Sequence, residues 1–426
     1  MGDAFLPGPV EEHRPRVGSY NGGMTETFSS LDHAHMAHAL RLAERGLYTT
    51  QPNPRVGCVI VHGERMVGAG WHQRAGGPHA EVFALREAAE AARGATAYVT
   101  LEPCAHFGRT PPCADALVAA GVARVVIAAE DPFGQVAGRG IEKLRAAGIT
   151  VETGLLREQA RELNIGFFSR IERSRPWVRV KLAMSLDGRT ALTSGESKWI
   201  TGEAARADVQ RWRARSSAIL TGSGTVLADN PRLTVRLPER QAGLHCAVRS
   251  IEHEDGGLSP GSAGAEAWPV PSPSKKGAGD AFAPVRVILD RQLLTPADTH
   301  VLDSNAPTVL MHAADAAVPA HLAPIDRVVL PELAGHLDLH AALAELARRD
   351  ANEVHVEAGP TLCGALLAGG LVDELLLYIA PVLLGDTARP LLALPPLARM
   401  ADRWRLRTLD RRMVGEDIRL RLRPER

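Results

Sequence analysis

The chain has 426 residues, 45% of them hydrophobic, and its 49 Lys and Arg residues balance 49 Asp and Glu residues. This length predicts two domains rather than one. A formal net charge of zero argues against a nucleic-acid channel, which needs a basic excess or stripe. No apolar run is long enough to span a membrane, and five scattered cysteines without a disulfide-framework spacing indicate a reducing compartment, so we expect a cytoplasmic protein.

Helices and strands alternate in the first part of the chain. An amphipathic helix is predicted over 31–45, and a short continuous apolar run over 56–61 is typical of a central strand. Further strands are predicted over 66–71, 97–101, 125–129 and 148–153, with helices between them and a last helix over 156–168. This alternation predicts a three-layer α/β domain. Residues 1–30 are charged and aperiodic, and are predicted to be a disordered tail.

A metal-binding pattern lies within this domain. His79 and Glu81 are followed by Pro103-Cys104 and by Cys113. One imidazole and two thiolates can hold Zn²⁺ and leave the fourth tetrahedral position to water, while Glu81 can move the proton of that water. His-x-Glu followed by Pro-Cys and a second Cys is the signature of zinc nucleobase deaminases. The alternative is a structural zinc site or two unrelated buried cysteines.

The second cysteine comes later than usual. Eight residues separate Cys104 from Cys113, where two are usual, and a new helix is predicted to begin at Cys113 after two prolines. The intervening loop carries His106, Arg109 and Thr110, which we expect at the mouth of the pocket.

Whole phrases of this region resemble a known family. PCAHFGRTPPC, TTQPNPRVGCVIV and VAGRG resemble the deaminase half of the bifunctional deaminase/reductases of riboflavin biosynthesis, whose deaminase domain is cytidine-deaminase-like. The resemblance implies that Asn53 and His72 contact the pyrimidine. Without it, Asn53 is a turn residue before proline and His72 a strand-end residue. Asp131-Pro132-Phe133-Gly134 departs from the Asp-Pro-Asn-Pro of that family.

A change of composition at Arg173-Ser174-Arg175-Pro176 predicts a boundary near residue 174, and hence domains over 31–174 and 175–426. Beyond it, a helix is predicted over 201–215 with Thr201 as its N-cap. A strand over 354–357 leads through Gly359 into a helix over 361–368, and such a turn offers free backbone N–H groups to a phosphate.

The second half resembles the reductase half of the same family, which has a dihydrofolate-reductase-like fold. KLAMSLDGRTA, SGESKWIT, TGSGTVLADNPRLTVR and VEAGP carry the resemblance. It implies an NADPH site formed by Ala183, Trp199, Thr225, Asp229, Arg291, Gly359, Pro360, Thr361, Leu362, Cys363, Gly364 and Ala365. It also implies that the phosphoribosyl end of the substrate meets Ser197, Arg213, Leu233, Arg236 and Glu357. The alternative is that these are surface arginines and an ordinary buried tryptophan.

No strong acid or base for the reductase step stands out, although Lys181 and Asp187 lie close to the motif. Residues 238–283 are rich in Gly, Ser, Pro and Ala, and are predicted to be a disordered insertion. The resemblance also implies a homodimer through the reductase domain.

The predicted function is therefore two consecutive steps of riboflavin biosynthesis on a small pyrimidine ribotide, without nucleic acid or membrane as a partner. Zn²⁺ serves a hydrolytic deamination, and NADPH serves reduction of the ribosyl side chain to ribityl phosphate. Two alternatives remain at this point. One is a nucleoside or nucleic-acid deaminase with an inert second domain, and the other is a non-catalytic, zinc-stabilised nucleotide-binding protein.

Overall fold

The computed structural model describes residues 28–105, 111–134, 137–236 and 283–425. The predicted tail and insertion lie outside the described residues, apart from 28–30 and 283, and so do His106, Arg109 and Thr110. In the described ranges, no helix is long and apolar enough to cross a membrane.

The N-terminal sheet has five strands in the order β2-β1-β3-β4-β5. The strands are β1 Gly57–His62, β2 Arg65–Trp71, β3 Thr96–Leu101, β4 Arg124–Ala129 and β5 Thr150–Thr153. β1 pairs antiparallel with β2 and β3, whereas β3, β4 and β5 run parallel. The predicted strands are confirmed, with ends that differ by one or two residues.

Helices cover both faces of this sheet. They are α1 Ser30–Glu44, α2 Ala80–Ala88, α3 Cys113–Ala120, α4 Arg139–Ala146, α5 Arg157–Leu163 and α6 Ile165–Arg173. The apolar sides of α2, α3 and α4 pack on one face, and those of α1, α5 and α6 on the other, which confirms the three layers. α2 packs closely on β2, since a Cβ at Gly68 would lie 2.2 Å from the carbonyl oxygen of Ala84.

The prediction of a single helix over 156–168 is wrong. The segment forms two helices, α5 and α6, which meet at Asn164. The Asn164 side chain accepts a hydrogen bond from the Arg55 amide at 2.8 Å and donates one to the Arg55 carbonyl at 2.9 Å. This clamp joins α6 to the chain just after Pro54, and the second helix continues to Arg173.

The second sheet has nine strands in the order β11-β10-β9-β8-β14-β6-β15-β18-β17. Its strands are β6 Trp177–Ser185, β8 Ala218–Gly222, β9 Val285–Leu289, β10 Thr308–His312, β11 Asp326–Val329, β14 Glu353–Val356, β15 Glu374–Ala380, β17 Leu406–Val414 and β18 Asp417–Pro424. Four short strands, β7 Arg189–Ala191, β12 Glu332–Leu333, β13 His336–Leu337 and β16 Arg389–Pro390, form two small separate sheets.

The helices of this part are α7 Glu203–Ala214, α8 Ser223–Asp229, α9 Leu339–Arg348 and α10 Pro360–Ala368. The prediction that Thr201 caps α7 is wrong, because the N-cap is Gly202, whose N–H donates to the Asp417 carboxylate at 2.8 Å. The distant strand β18 thus satisfies a backbone donor at this helix end.

A buried ion cluster joins the two halves of the chain. The fully buried Glu353 of β14 accepts hydrogen bonds from Arg55 Nη1 at 3.0 Å, Arg179 Nη1 at 2.9 Å and Arg215 Nε at 3.0 Å. Arg55 belongs to the N-terminal part, whereas Arg179 and Arg215 belong to the second. Because three guanidinium groups surround this carboxylate, its buried charge is compensated.

Candidate active sites

The three predicted zinc ligands come from different elements and converge. His79 is the N-cap residue of α2, Cys104 follows β3, and Cys113 opens α3. His79 Nδ1 lies 3.2 Å from Cys113 Sγ and 3.6 Å from Cys104 Sγ, and all three ligand atoms lie within 4.8 Å of one another. The proline-led start of α3 therefore brings Cys113 to the cluster in spite of the long spacing.

The two cysteine side chains shift each other's pKa in opposite directions. A hydrogen bond from the Cys113 thiol lowers the pKa of Cys104 to about 4, and the same contact raises the pKa of Cys113. The Cys104 sulfur also accepts from the Cys113 amide at 3.3 Å. Two cysteine sulfurs and an imidazole at these distances form a donor set that fits Zn²⁺ in a three-ligand catalytic site, because metal binding would deprotonate the Cys113 thiol as well.

Glu81 lies in the first turn of α2, beside the ligands, with 3% of its surface exposed. Its Oε2 atom is buried and has no hydrogen-bond partner among the described residues. Burial raises the pKa of Glu81 to about 7. A carboxyl group of that pKa exchanges protons near neutral pH, and its unpaired oxygen is free for a water or an amine.

A cavity of about 580 Å³ connects Glu81, His79 and Cys104 with Asn53 and His72. His72 Nδ1 lies 3.0 Å from the Pro78 carbonyl oxygen, which can only accept, so Nδ1 carries the proton. Asn53 Nδ2 lies 3.2 Å from His72 Nε2 and donates to it. Asn53 and His72, to which the resemblance assigns the pyrimidine, are therefore hydrogen-bonded to each other in the wall of one pocket.

Sequence reasoning missed Glu102, which also lines the cavity. Its carboxylate accepts backbone hydrogen bonds from Gly140 at 2.9 Å, Gly138 at 3.1 Å, and Ile141 and Asp131 at 3.3 Å. The only signal was a carboxylate next to Pro103-Cys104. Through its bond to the Asp131 amide, Glu102 holds the loop that carries Phe133. Phe133 lines the same cavity, and the family pattern has an asparagine at this position.

In the second half, two helix N-termini lie at one edge of the sheet. The adjacent parallel strands β8 and β14 lead into α8 and α10, whose N-caps are Gly222 and Gly359 without a side-chain cap. A Cβ at Gly359 or Gly224 would meet nothing within 4 Å, so both backbones border open space. Free N–H groups and a glycine-lined cradle fit the phosphates of a dinucleotide.

The other predicted cofactor residues are spread around this edge. Ala183 lies on β6, and Thr225 and Asp229 lie on α8. Trp199 is 70% exposed, with Arg206 Cζ 4.7 Å from its ring centroid, so the alternative of an ordinary buried tryptophan is wrong. Arg291 is paired with the carboxylates of Glu332 and Asp315.

Arg213 and Glu357 are brought together as a bidentate pair. Arg213 Nε and Nη2 donate to the two carboxylate oxygens at 2.5 and 2.8 Å, and Nη1 donates to the Thr234 carbonyl at 2.9 Å. Arg213 is buried, so the alternative of a surface arginine is wrong for it, whereas Arg236 is exposed. Leu233 is buried, and Ser197 is half-buried.

Lys181 and Asp187 have different surroundings. Burial lowers the pKa of Lys181, although the Glu357 charge acts against this. Asp187 accepts from the Ser185 hydroxyl at 2.5 Å, and from the Gly385 amide at 2.8 Å and the Leu384 amide at 3.2 Å. These hydrogen bonds, led by that of Ser185, lower the pKa of Asp187 to about 2 and occupy it in holding a turn.

Comparison with known proteins finds relatives of both halves of the chain. Residues 29–129 match the cytidine and deoxycytidylate deaminase zinc-binding region, and residues 176–420 match the RibD C-terminal domain. The riboflavin biosynthesis protein RibD of Escherichia coli is 48% identical over 92% of this chain and 99% of its own length. The chain belongs to the RibD family.

Two solved structures share its fold. Acinetobacter baumannii RibD superposes with a TM-score of 0.79 at 43% identity, covering 93% of this chain and 99% of that one. A Thermotoga maritima diaminohydroxyphosphoribosylaminopyrimidine deaminase/5-amino-6-(5-phosphoribosylamino)uracil reductase gives 0.74 at 31% identity, with coverages of 92% and 99%.

Membership of the RibD family makes the chain a bifunctional enzyme of riboflavin biosynthesis, a deaminase followed by a reductase. Its cofactors are zinc, for which the chain has the His79, Cys104 and Cys113 cluster, and NADPH. The fold class is confirmed: a cytidine-deaminase-like domain precedes a dihydrofolate-reductase-like one. The two alternative functions find no support among these relatives.

Proposed function

We propose that residues 31–174 deaminate 2,5-diamino-6-(5-phosphoribosylamino)pyrimidin-4(3H)-one, and that residues 175–426 then reduce the ribosyl group of the product to ribityl phosphate. The observation that carries this proposal is the convergence of His79, Cys104 and Cys113 within 4.8 Å, beside the buried Glu81 in one cavity. The named activities of the Thermotoga maritima relative supply the choice of substrate.

In the deaminase step, His79, Cys104 and Cys113 would hold zinc, which when bound would lower the pKa of a water molecule. Glu81 accepts a proton from that water and gives it to the departing amine, so that one water enters and one ammonia leaves. A pKa of about 7 suits both transfers. Burial keeps bulk water from competing for the carboxylate.

Asn53 and His72 position the ring. The Asn53 amide is oriented by its donation to His72 Nε2, which leaves Oδ1 as an acceptor for the N–H edge of the pyrimidine. His72 is itself oriented by the Pro78 carbonyl. The pair thus fixes which side-chain atom the substrate meets.

In the reductase step, NADPH supplies a hydride to C1′ of the ribosyl group. We assign the phosphate cradle to the free backbone N–H groups at the start of α10, those of Gly359, Thr361 and Leu362, since Pro360 has none. Cys363, Gly364 and Ala365, the other residues that the resemblance assigns to this site, follow within the helix, where the Cys363 N–H bonds to the Gly359 carbonyl. The residues that would border the bound cofactor are Ala183, Thr225, Asp229, Arg291 and the exposed Trp199, whose ring could stack on it.

The phosphoribosyl end of the reductase substrate meets Ser197, Arg213, Leu233, Arg236 and Glu357. Glu357 holds the Arg213 fork in a fixed plane, which suits a phosphate or a ribosyl oxygen. We assign the proton of this step to Lys181 rather than to Asp187, because Asp187 is occupied by a turn. Burial lowers the pKa of Lys181 towards the working range of an acid.

The test is to give the purified enzyme the diaminopyrimidinone ribotide with and without NADPH. Ammonia release without NADPH, and NADPH oxidation only after deaminated product has formed, are expected. Ammonia release with no NADPH oxidation at any time would contradict the reductase assignment. NADPH oxidation before any ammonia release would contradict the order of the steps.

We also propose a cytoplasmic homodimer that uses small-molecule ribotides and no nucleic acid. The sheet edge formed by β17 and the segment before it exposes Met400, Trp404, Leu406 and Met413, which supports an interface there. Four described cysteines are free, as suits a reducing compartment. Sedimentation at working concentration tests the dimer, and a monomer would rule it out; cell fractionation tests the location.

A further inference from the structure

One wall of the deaminase cavity comes from outside the zinc-binding elements. Phe167, Arg170 and Ile171 of α6 line the same cavity as Glu81, and so does Asp350, which lies between α9 and β14. Asp350 belongs to the second half of the chain. The pocket is therefore closed by both domains, and the mechanism of deamination described above uses none of these four residues.

Arg170 is held in this wall by two contacts from the reductase domain. Its Nη1 donates to Asp350 Oδ1 at 2.7 Å, and its Nε donates to Asn352 Oδ1 at 2.7 Å. The Arg170 side chain is 15% exposed, whereas that of Asp350 is 49% exposed. Among the described residues, Arg170 Nη2 has no hydrogen-bond partner, so the outer N–H groups of a fixed guanidinium remain for a ligand.

Among the charged groups of the described cavity lining, the guanidinium of Arg170 is the one that attracts an anion, whereas the carboxylates repel it. This lining includes the carboxylates of Glu81, Glu102, Asp131 and Asp350, and Arg170 is the one Lys or Arg among the described lining residues. A phosphate that enters this cavity needs a cationic donor, and a guanidinium fixed on one side can offer the parallel N–H groups that phosphate prefers.

We propose that Arg170 binds the phosphate of the ribotide in the deaminase site, and that Asp350 accepts a hydrogen bond from a ribosyl hydroxyl. The inference rests on the proposed function, whose substrate has a pyrimidine at one end and a phosphoribosyl group at the other. The pyrimidine then lies between Asn53 and Glu81, and the phosphoribosyl group extends to the wall formed by α6 and Asp350. Residues of both domains, Arg170 of the first and Asp350 of the second, therefore select the phosphorylated substrate.

The experiment compares Arg170→Gln with the unchanged enzyme on the ribotide and on the same compound without its phosphate. For Arg170→Gln, KM for the ribotide is expected to rise about 10- to 100-fold with little change in kcat, because a charge-assisted contact to the phosphate is lost. KM for the dephosphorylated compound is expected to stay the same. Arg170→Lys keeps the charge and is expected to recover part of the loss.

Arg173→Gln is the matched control. Arg173 lies on the same helix and pairs with Asp373 of the reductase domain at 2.8 Å, but it does not line the cavity. It is expected to leave KM for both compounds unchanged. D-ribose 5-phosphate serves as a probe, and its inhibition constant for ammonia release is expected to rise about 10-fold or more in Arg170→Gln alone.

Reductase activity of each variant on the deaminated ribotide reports whether the chain is folded. An equal rise of KM for both compounds, or an unchanged KM for the ribotide, would overturn the inference. If the unchanged enzyme releases no ammonia from the ribotide, the proposed function has failed instead, and the two failures are thereby distinguished.

Discussion

Asn53 Nδ2 lies 3.2 Å from His72 Nε2, and a third group, the Pro78 carbonyl, determines that Asn53 is the donor of this hydrogen bond. His72 Nδ1–H donates a hydrogen bond to the Pro78 carbonyl oxygen at 3.0 Å, so Nε2 of the neutral ring must accept. A backbone carbonyl thus decides which atom of the Asn53 amide faces the cavity.

We expect His72→Phe to lower kcat/KM for ammonia release about 10- to 100-fold, because the Asn53 amide loses the acceptor that orients it. Zinc content and reductase activity should not change. The matched control is His62→Phe: His62 is exposed and its Nδ1 also lies near a backbone carbonyl, that of Ala91 at 3.1 Å, but it is outside the cavity. Equal losses in both variants would contradict the orienting role.

Glu81→Gln should lower kcat for ammonia release about 100- to 10,000-fold, because the amide cannot take up and return the proton. Glu81 is not one of the three clustered ligand residues, so the variant should keep its full zinc content. Metal analysis, ammonia release and reductase activity on the deaminated ribotide together make the measurement. Cys104→Ser is the contrast, since it should lose zinc and deamination together. Loss of zinc from Glu81→Gln would show that Glu81 is a ligand.

Gly359→Leu should raise KM for NADPH about 10-fold or more, with little effect on stability. The backbone φ of Gly359 is −72°, which any residue adopts, and a Cβ there meets nothing within 4 Å. The larger side chain therefore fits the free protein but occupies the cofactor cradle. NADPH titration and thermal unfolding give the two readouts, and deaminase activity is the internal control. A normal KM for NADPH in a folded variant would place the cofactor elsewhere.

Acid should destabilise the reductase domain through Glu374. Burial acts to raise the pKa of this carboxyl, but the charges of Arg179 and Arg421 prevail and hold it at about 2, below its ordinary value of 4.5. The ionised group therefore stabilises the fold fully above pH 4.5, and this contribution is lost as the pH falls from there through about 2. The loss is on the order of 3 kcal/mol.

Urea unfolding between pH 6 and pH 3, followed by fluorescence, measures more than half of this loss, since the window crosses the ordinary pKa of 4.5 but ends above the folded value of about 2. Glu374→Gln should show a lower free energy of unfolding at the upper limit and a weaker dependence on pH. An unchanged pH dependence in that variant would assign the acid sensitivity to other carboxylates.

Much of the fold could be predicted from the sequence where the signal is local. The apolar run in β1 and the Gly359 turn before α10 can each be recognised from a few consecutive residues. The zinc ligands can be recognised by residue type and order, even though the spacing between Cys104 and Cys113 is longer than usual. The structure brings those ligands together because α3 begins at the second cysteine.

The failures depend on contacts between distant residues. The sequence around Asn164 gives no sign that its side chain bonds to the backbone of Arg55, 109 positions earlier. It therefore could not predict that the helix divides at Asn164. Gly202 rather than Thr201 is the N-cap of α7, and its N–H bonds to Asp417 of β18, 215 positions later in the chain. For the same reason Asp350, in the opposite half of the chain, could not be assigned to the deaminase cavity before the fold was known.

The division of the deaminase cavity between two domains has a consequence for gene architecture. A fragment that ends near residue 174 keeps the zinc ligands and Glu81 but lacks Asp350 and Asn352, the two residues that hold Arg170. Such a fragment would keep the residues proposed to carry out the deamination, but its pocket would lack the part of the wall that Asp350 forms. Separating this chain into two independent genes would therefore require new residues to rebuild the lost wall, so the fusion constrains how either half can evolve.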